Sequence, residues 1–233
     1  VGARKKQYEF SDTQIAGFVS HCRQVNIDWF ASTHDLHSLK RLLPLGPKYI
    51  KVASREAREM NFLAGVKELN RQKLPVLIST GGLSFAHIGQ IYDLFKDDKL
   101  TLIHTASLYP CGTPHLNMNR IGLMIKTFNC NVGYSGHEEG FLPTLYAISQ
   151  GVSYIERHFT LDENMNRVAK MKPHFTDELC TLRPDEFGKM VNAINLFAQL
   201  KQQETNLQVS ERELERINAY GLVTWDGNDI FLS

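Results

Sequence analysis

YIKVAS at residues 49–54, LPVLIST at 74–80 and LTLIHTA at 100–106 decide the fold. Each is a short, nearly continuous apolar run that ends on polar residues. Strands that are apolar on both faces belong to a parallel sheet covered by helices, whereas half-exposed strands alternate. Three further segments have the same form: IDWFAST at 27–33, NVGYS at 131–135 and VSYIERHFT at 152–160. Between the six lie LHSLKRLLPL, MNFLAGVKELNRQ, FAHIGQIYDLFKD, NMNRIGLMIKTF and FLPTLYAISQG, all with helical periodicity. This alternation predicts right-handed βαβ units on one parallel sheet.

Two helices flank the array. Ser11 to Gln14 has the form of a capping box ahead of IAGFVSHCRQV, and Pro184, Asp185 and Glu186 suit the first turn of a helix running to about Gln202. Six units are too few to close an eight-stranded barrel. The sequence therefore predicts an α/β fold of the TIM (β/α)8 type over residues 1–202, lacking its first one or two βα units in this chain; an open doubly wound sheet is the alternative. Residues 203–233 read as a C-terminal linker and tail, with a capping box at Ser210 and Glu213 and a turn at Asp226-Gly227 between two short strands.

Composition narrows the partners. The 26 Lys and Arg are balanced by 25 Asp and Glu, so no overall positive field attracts nucleic acid or an acidic membrane surface. Cys22, Cys111, Cys130 and Cys180 are widely spread and form no CxxC, which reads as reduced thiols. There is no apolar run of the roughly 20 residues that cross a bilayer, and no signal-peptide pattern follows the basic start. A soluble, cytoplasmic protein is expected.

In a parallel barrel the chemistry sits at the carboxyl ends of the strands. Polar residues gather at those ends here: Ser32 to Asp35, Lys51 with Ser54 and Glu56, Ser79 to Gly82, His104 with Ser107 and Tyr109, Ser135 with His137, and Glu156 to His158. His137 and His158, on adjacent strands, could converge as neutral imidazoles on Mn²⁺, Fe²⁺ or Zn²⁺ with water in the open positions. Alternatively His158 is a hydrogen-bonded core histidine and His137 a loop residue. Lys51, in an otherwise apolar strand, must reach water, a buried partner or an anion. With Thr33, Ser54 and Ser79 it could cradle a phosphate, or its stem could be buried and its ammonium paired. Glu56 reads as a general acid or base, or as the lysine's salt partner.

The stretches WFASTHD, KYIKVASREA, LPVLISTGG, IHTASLYP, NVGYSGHEEG and ERHFTLDENM, with LRPDEF after them, resemble the sialic acid synthase family in order, over most of residues 28–188. The resemblance implies a barrel enzyme, a transferase that condenses phosphoenolpyruvate with an open-chain N-acylhexosamine such as N-acetylmannosamine, releasing phosphate and giving a nonulosonic acid. It implies a divalent ion, Mn²⁺ or Mg²⁺, on His137 and His158, and a homodimer. It assigns phosphoenolpyruvate binding to Lys51, supporting hydroxyls to Thr33, Ser54, Ser79 and Ser135, the acidic catalytic role to Glu56, and a substrate contact to Tyr109.

Departures from the family pattern bear on the sugar side. Gly136 stands where an acidic residue is usual, and Ser107 where asparagine is frequent. The segment 163–178 is longer than the family's, with Asp177 as the best match to a substrate-binding aspartate and Glu178 in place of a histidine. The family's first two barrel units and its C-terminal antifreeze-like domain have no counterpart in these residues, so the chain alone is expected to have little activity. Two other readings stay open: a metal-dependent aldolase or hydrolase of different specificity on the same barrel, and a noncatalytic barrel fragment.

Overall fold

A computed structural model describes residues 10–161, 177–201, 209–219, 223–225 and 230–232. It divides into a unit of residues 1–194 and a smaller unit of residues 195–233. The first unit is an α/β fold whose six strands, β1 (Ile50–Val52), β2 (Val76–Ser79), β3 (Leu100–Thr105), β4 (Asn131–Gly136), β5 (Tyr154–Phe159) and β6 (Thr181–Leu182), pair in chain order. Every pair is parallel. A doubly wound sheet needs a reversal of strand order, and none occurs among the described residues.

Two expectations are corrected at the edges. Residues 27–33 do not form a full strand: the segment meets β1 at the single bridge Ser32–Lys51 and through the Lys48 amide, which donates to the Trp29 carbonyl at 2.9 Å. β1 is only three residues long, which leaves little ladder for a neighbour. Conversely, Thr181–Leu182 joins β5 as a sixth strand too short to show any sequence pattern.

The helices lie where the periodicity puts them: α1 (Asp12–Gln24), α2 (Leu36–Leu42), α3 (Met60–Leu69), α4 (Phe85–Phe95), α5 (Asn119–Thr127), α6 (Leu142–Gln150) and α7 (Pro184–Lys201). Ser11 and Gln14 close the expected capping box on α1. Ser84 caps α4, accepting from the His87 amide, and α4 then buries Ile88, Ile91 and Phe95 on one face. Fully burying side chains of this size contributes roughly 1.5–3 kcal/mol each.

Alternation along the strands separates two environments. Ile50, Val52, Val76, Ile78, Leu100, Leu102, Val132 and Tyr134 pack into the core shared with the helices. Lys51, Ser79, Thr105, Ser135 and Glu156 belong to the opposite face, where they or their neighbours interact across the sheet. That face is concave, because Tyr49 and Tyr154, at the beginnings of β1 and β5, meet edge to face with ring centroids 5.5 Å apart. The sheet is therefore curled.

In the second unit, α8 (Glu211–Ala219) is capped by Ser210, whose hydroxyl accepts from the Glu213 amide at 3.3 Å. β7 (Val223–Trp225) and β8 (Ile230–Leu232) pair antiparallel; the expected turn at Asp226-Gly227 lies outside the described residues. No helix among the described residues is long and apolar enough to cross a membrane.

Candidate active site

The concave face ends in a polar floor. Lys51, in the middle of β1, is 4% exposed, and its Nζ donates to Ser79 Oγ at 2.8 Å and pairs with Glu156 Oε2 at 3.0 Å. Glu156 Oε1 also accepts from Ser135 Oγ at 3.0 Å. Glu156, not Glu56, is thus the lysine's salt partner, which corrects the simpler sequence pairing. Ser79, Ser135 and Glu156 end up together because each faces inward from its own strand, Ser135 and Glu156 at the same rung of the β4–β5 ladder.

Glu56 sits in a short 3-10 turn after β1 and is buried. One oxygen, Oε1, meets His34 Nδ1 at 2.9 Å and Arg55 Nε at 3.0 Å. The other, Oε2, is buried without a hydrogen-bond partner, as is Thr33 Oγ1. Buried polar atoms are nearly always partnered, so these two, at the mouth of the site, are open to a ligand.

Around Gly81 the loops after three strands converge. Its amide donates to Ser54 Oγ at 3.0 Å. A Cβ on residue 81 would lie 2.3 Å from Ser107 Oγ, 2.8 Å from Ser54 Oγ and 2.9 Å from Thr105 Cγ2. Only glycine lets the two hydroxyls close on this backbone.

His137 follows β4 directly and is buried; His158 lies in β5 and is half-buried. Their ring centroids are 5.2 Å apart with planes at 86°, and Tyr109 packs against both, 4.1 Å from His137 and 5.7 Å from His158. His137 Nδ1 lies 2.7 Å from the Ala106 carbonyl. A carbonyl can only accept, so Nδ1 carries the proton and Nε2 keeps its lone pair. Burial holds the His137 pKa below its ordinary value, and the adjacent His158 acts in the same direction, while the Ala106 carbonyl, Glu156 and Glu138 oppose it. A neutral imidazole whose other nitrogen donates to a backbone carbonyl is the arrangement metal-ligating histidines adopt. The two imidazoles would supply two ligands to a divalent ion; among the described residues no group of three or more His, Cys, Asp or Glu that could hold a metal ion occurs, so other ligands would have to fill the remaining positions.

Gly136 also has a local reason. The Glu138 carboxylate folds back over it, so that a Cβ at 136 would fall 2.6 Å from Oε2 and 2.8 Å from Oε1. Asp177 opens a 3-10 turn at Asp177–Cys180, but its side chain, like residues 162–176, lies outside the described residues. Glu156 and His34 stood among the polar strand-end residues but were assigned no role. Glu156 could have been found from its i, i+2 spacing to His158, which puts both on one face of a strand.

A curled parallel sheet gathering a buried lysine, flanking hydroxyls and paired imidazoles on its concave face defines the α/β class of the chain. Within that class the NeuB family matches residues 2–206, and the chain belongs to this family. It is 32% identical over 200 residues to the N-acetylneuraminate-9-phosphate synthase of Drosophila melanogaster, covering 84% of this chain and 51% of that protein. It is 30% identical over 171 residues to the N,N'-diacetyllegionaminic acid synthase of Campylobacter jejuni, covering 70% and 50%. The crystal structure of an N-acetylneuraminic acid (sialic acid) synthetase from Leptospira borgpetersenii serovar Hardjo-bovis, in complex with citrate, superposes with a TM-score of 0.76 at 24% identity, covering 91% of this chain and 71% of that one. The chain spans about half the length of these two curated relatives.

Proposed function

We propose that the protein to which this chain belongs condenses phosphoenolpyruvate with an open-chain N-acylhexosamine, N-acetylmannosamine or a related amino sugar, and that these residues form the greater part of a (β/α)8 barrel housing the reaction. The observation that carries the reading is Lys51: a buried ammonium at a hydroxyl-lined floor, with Ser79 and Glu156 as its contacts. Family membership and the synthase relatives support the same chemistry.

In the overall reaction a C–C bond forms between C3 of phosphoenolpyruvate and the aldehyde carbon. Water adds at C2, and the C2–O bond to phosphate then breaks to leave a keto acid. Lys51 with the hydroxyls of Ser54, Ser79 and Ser107 holds the anion, converting two substrates into an oriented pair. Glu56 Oε2, buried and unpartnered, is suited to take the proton of the incoming water. A divalent ion, Mn²⁺ or Mg²⁺, held by His137 and His158, supplies Lewis acidity at the aldehyde oxygen when bound. Tyr109 packs against both imidazoles and screens one side of them from solvent.

The test is phosphate release by the full-length protein supplied with Mn²⁺. Release is expected only when N-acetylmannosamine or a 2,4-diacetamido sugar is present with phosphoenolpyruvate, and chelator should abolish it. Acceptor-independent release would favour a hydrolase, and no turnover with any acceptor would favour a noncatalytic role.

A further inference from the structure

We infer that the buried Glu138–Arg157 pair positions His137 and His158, fixing how the two imidazoles face each other. The inference rests on the proposed metal-binding role of those histidines. Glu138 directly follows His137, and Arg157 directly precedes His158. Successive strand residues point to opposite faces, so the pair lies behind the imidazoles, on the side where the helices pack.

The pair is closed off from water, with side chains 0% exposed for Arg157 and 4% for Glu138. Its contacts are nearly complete. Glu138 Oε1 accepts from Arg157 Nη1 at 2.7 Å and from Thr144 Oγ1 at 3.2 Å, and Oε2 accepts from Tyr134 OH at 2.7 Å. Arg157 Nη2 donates to the Glu138 carbonyl at 2.9 Å and to the Cys180 carbonyl at 3.4 Å. One guanidinium therefore grips both the side chain and the backbone of residue 138, in a fork geometry lysine cannot reproduce.

Desolvation makes such a pair a poor source of stability compared with well-packed apolar residues. Its position suggests another use. The β4–β5 ladder ends at the rung Gly136–Arg157, so His137 lies one residue beyond the last paired position. The Arg157 grip on Glu138 continues the connection past that rung and holds His137 from its far side. The carboxylate returning over Gly136 occupies the space a side chain there would fill, which leaves the intervening histidine between two fixed residues. Thr144, in the first turn of α6, and the carbonyl of Cys180, which precedes β6, tie the same carboxylate–guanidinium unit to the flanking elements.

The experiment compares wild type with Glu138→Gln, Arg157→Lys and Tyr134→Phe, the last removing one donor from Glu138 while keeping the charges paired. Mn²⁺ affinity is measured by calorimetry well below each melting temperature. The nitrogen shifts of His137 are read by NMR in metal-free protein. Losing a group that orients a metal-ligating imidazole costs about 10–100-fold in affinity. Glu138→Gln is expected to fall in that range, with the other two weaker in the same direction and His137 no longer held as the single Nδ1–H tautomer. If Glu138→Gln does not fold, the two milder variants decide. Variants that melt earlier but keep wild-type Mn²⁺ affinity and His137 shifts would overturn the inference and leave the pair a structural staple. Should wild type itself bind no Mn²⁺, the metal reading falls, while the His137 shifts still decide whether the pair orients the ring.

Discussion

Lys51 Nζ lies 3.0 Å from Glu156 Oε2, although β1 and β5 are four strand steps apart in the sheet. In a flat sheet four steps would separate the strands by about 19 Å, beyond the combined reach of a lysine and a glutamate. The contact is made across the concave face, and it exists only because the sheet curls. The same curl brings the Ser79 and Ser135 hydroxyls, from β2 and β4, to this one pair.

The two partners are expected to respond unequally to substitution. Lys51→Met removes a buried charge and leaves Glu156, 38% exposed, with water and Ser135, so stability should change by no more than about 1 kcal/mol. Glu156→Gln strands the ammonium with Ser79 and should cost about 2 kcal/mol, less than for a fully buried pair. A charge-assisted contact to phosphate is worth about 1.5–3 kcal/mol, so Lys51→Met should raise the Michaelis constant for phosphoenolpyruvate about 10- to 100-fold. Denaturant titrations and steady-state kinetics check both. A Lys51→Met protein that unfolds easily yet keeps its phosphoenolpyruvate constant would make the lysine purely structural.

Replacing both His137 and His158 with alanine should abolish Mn²⁺ binding by calorimetry. His137 loses one hydrogen bond to the Ala106 carbonyl, worth about 1 kcal/mol, so the melting temperature should drop by only a few degrees. Retained Mn²⁺ affinity in the double variant would rule these residues out as the ligands.

The sequence made the strand–helix period and the polar strand ends legible because parallel strands buried on both faces are apolar until they reach solvent. Lys51, a cation inside such a run, announced itself. Its partner did not, since Glu156 is 105 residues away while Glu56 stands five residues on, and only the curl selects between them. Strand β6, two residues long, is held by pairing with His158 and Phe159 rather than by any pattern of its own. Residues 27–33 have the composition of a strand but meet little of β1. The Glu138–Arg157 pair was hidden for the same reason as Glu156: its members are distant in sequence and adjacent only through the β4–β5 register.

His104 should make stability depend on pH. Burial lowers its pKa, nearby Arg120 acts in the same direction, and the Leu116 carbonyl only partly offsets them. Its Nδ1 is buried without a partner, so protonation would place an unpaired N–H there. Because the folded pKa lies below the unfolded one, the unfolded chain binds the extra proton. Stability from this group is therefore complete above about pH 6.5 and is lost as pH falls below it, by at most about 1.4 kcal/mol per pH unit. Urea midpoints between pH 7.5 and 5.0 should decline, and His104→Gln, which does not titrate, should flatten the decline. An identical slope in the variant would assign the effect to other groups.

Gly81→Ala separates packing from anion binding. The new methyl would lie 2.3 Å from Ser107 Oγ and 2.8 Å from Ser54 Oγ, so both hydroxyls must swing away or the loop must shift. Overpacking of this kind typically costs about 1–3 kcal/mol, and the Gly81 amide would lose its bond to Ser54 if that hydroxyl turned. If the hydroxyls cradle phosphate, the Michaelis constant for phosphoenolpyruvate should rise at least about tenfold, as expected for the loss of one or two hydrogen bonds to a charged group. Adding Ser107→Ala removes the closest clash. The double variant should regain most of the lost melting temperature and little of the lost affinity, because the relief comes from deleting a proposed phosphate contact. Affinity that recovers together with stability would mean Gly81 serves packing alone and the anion is held elsewhere. Kinetics and thermal denaturation on Gly81→Ala, Ser107→Ala and the double variant distinguish the two.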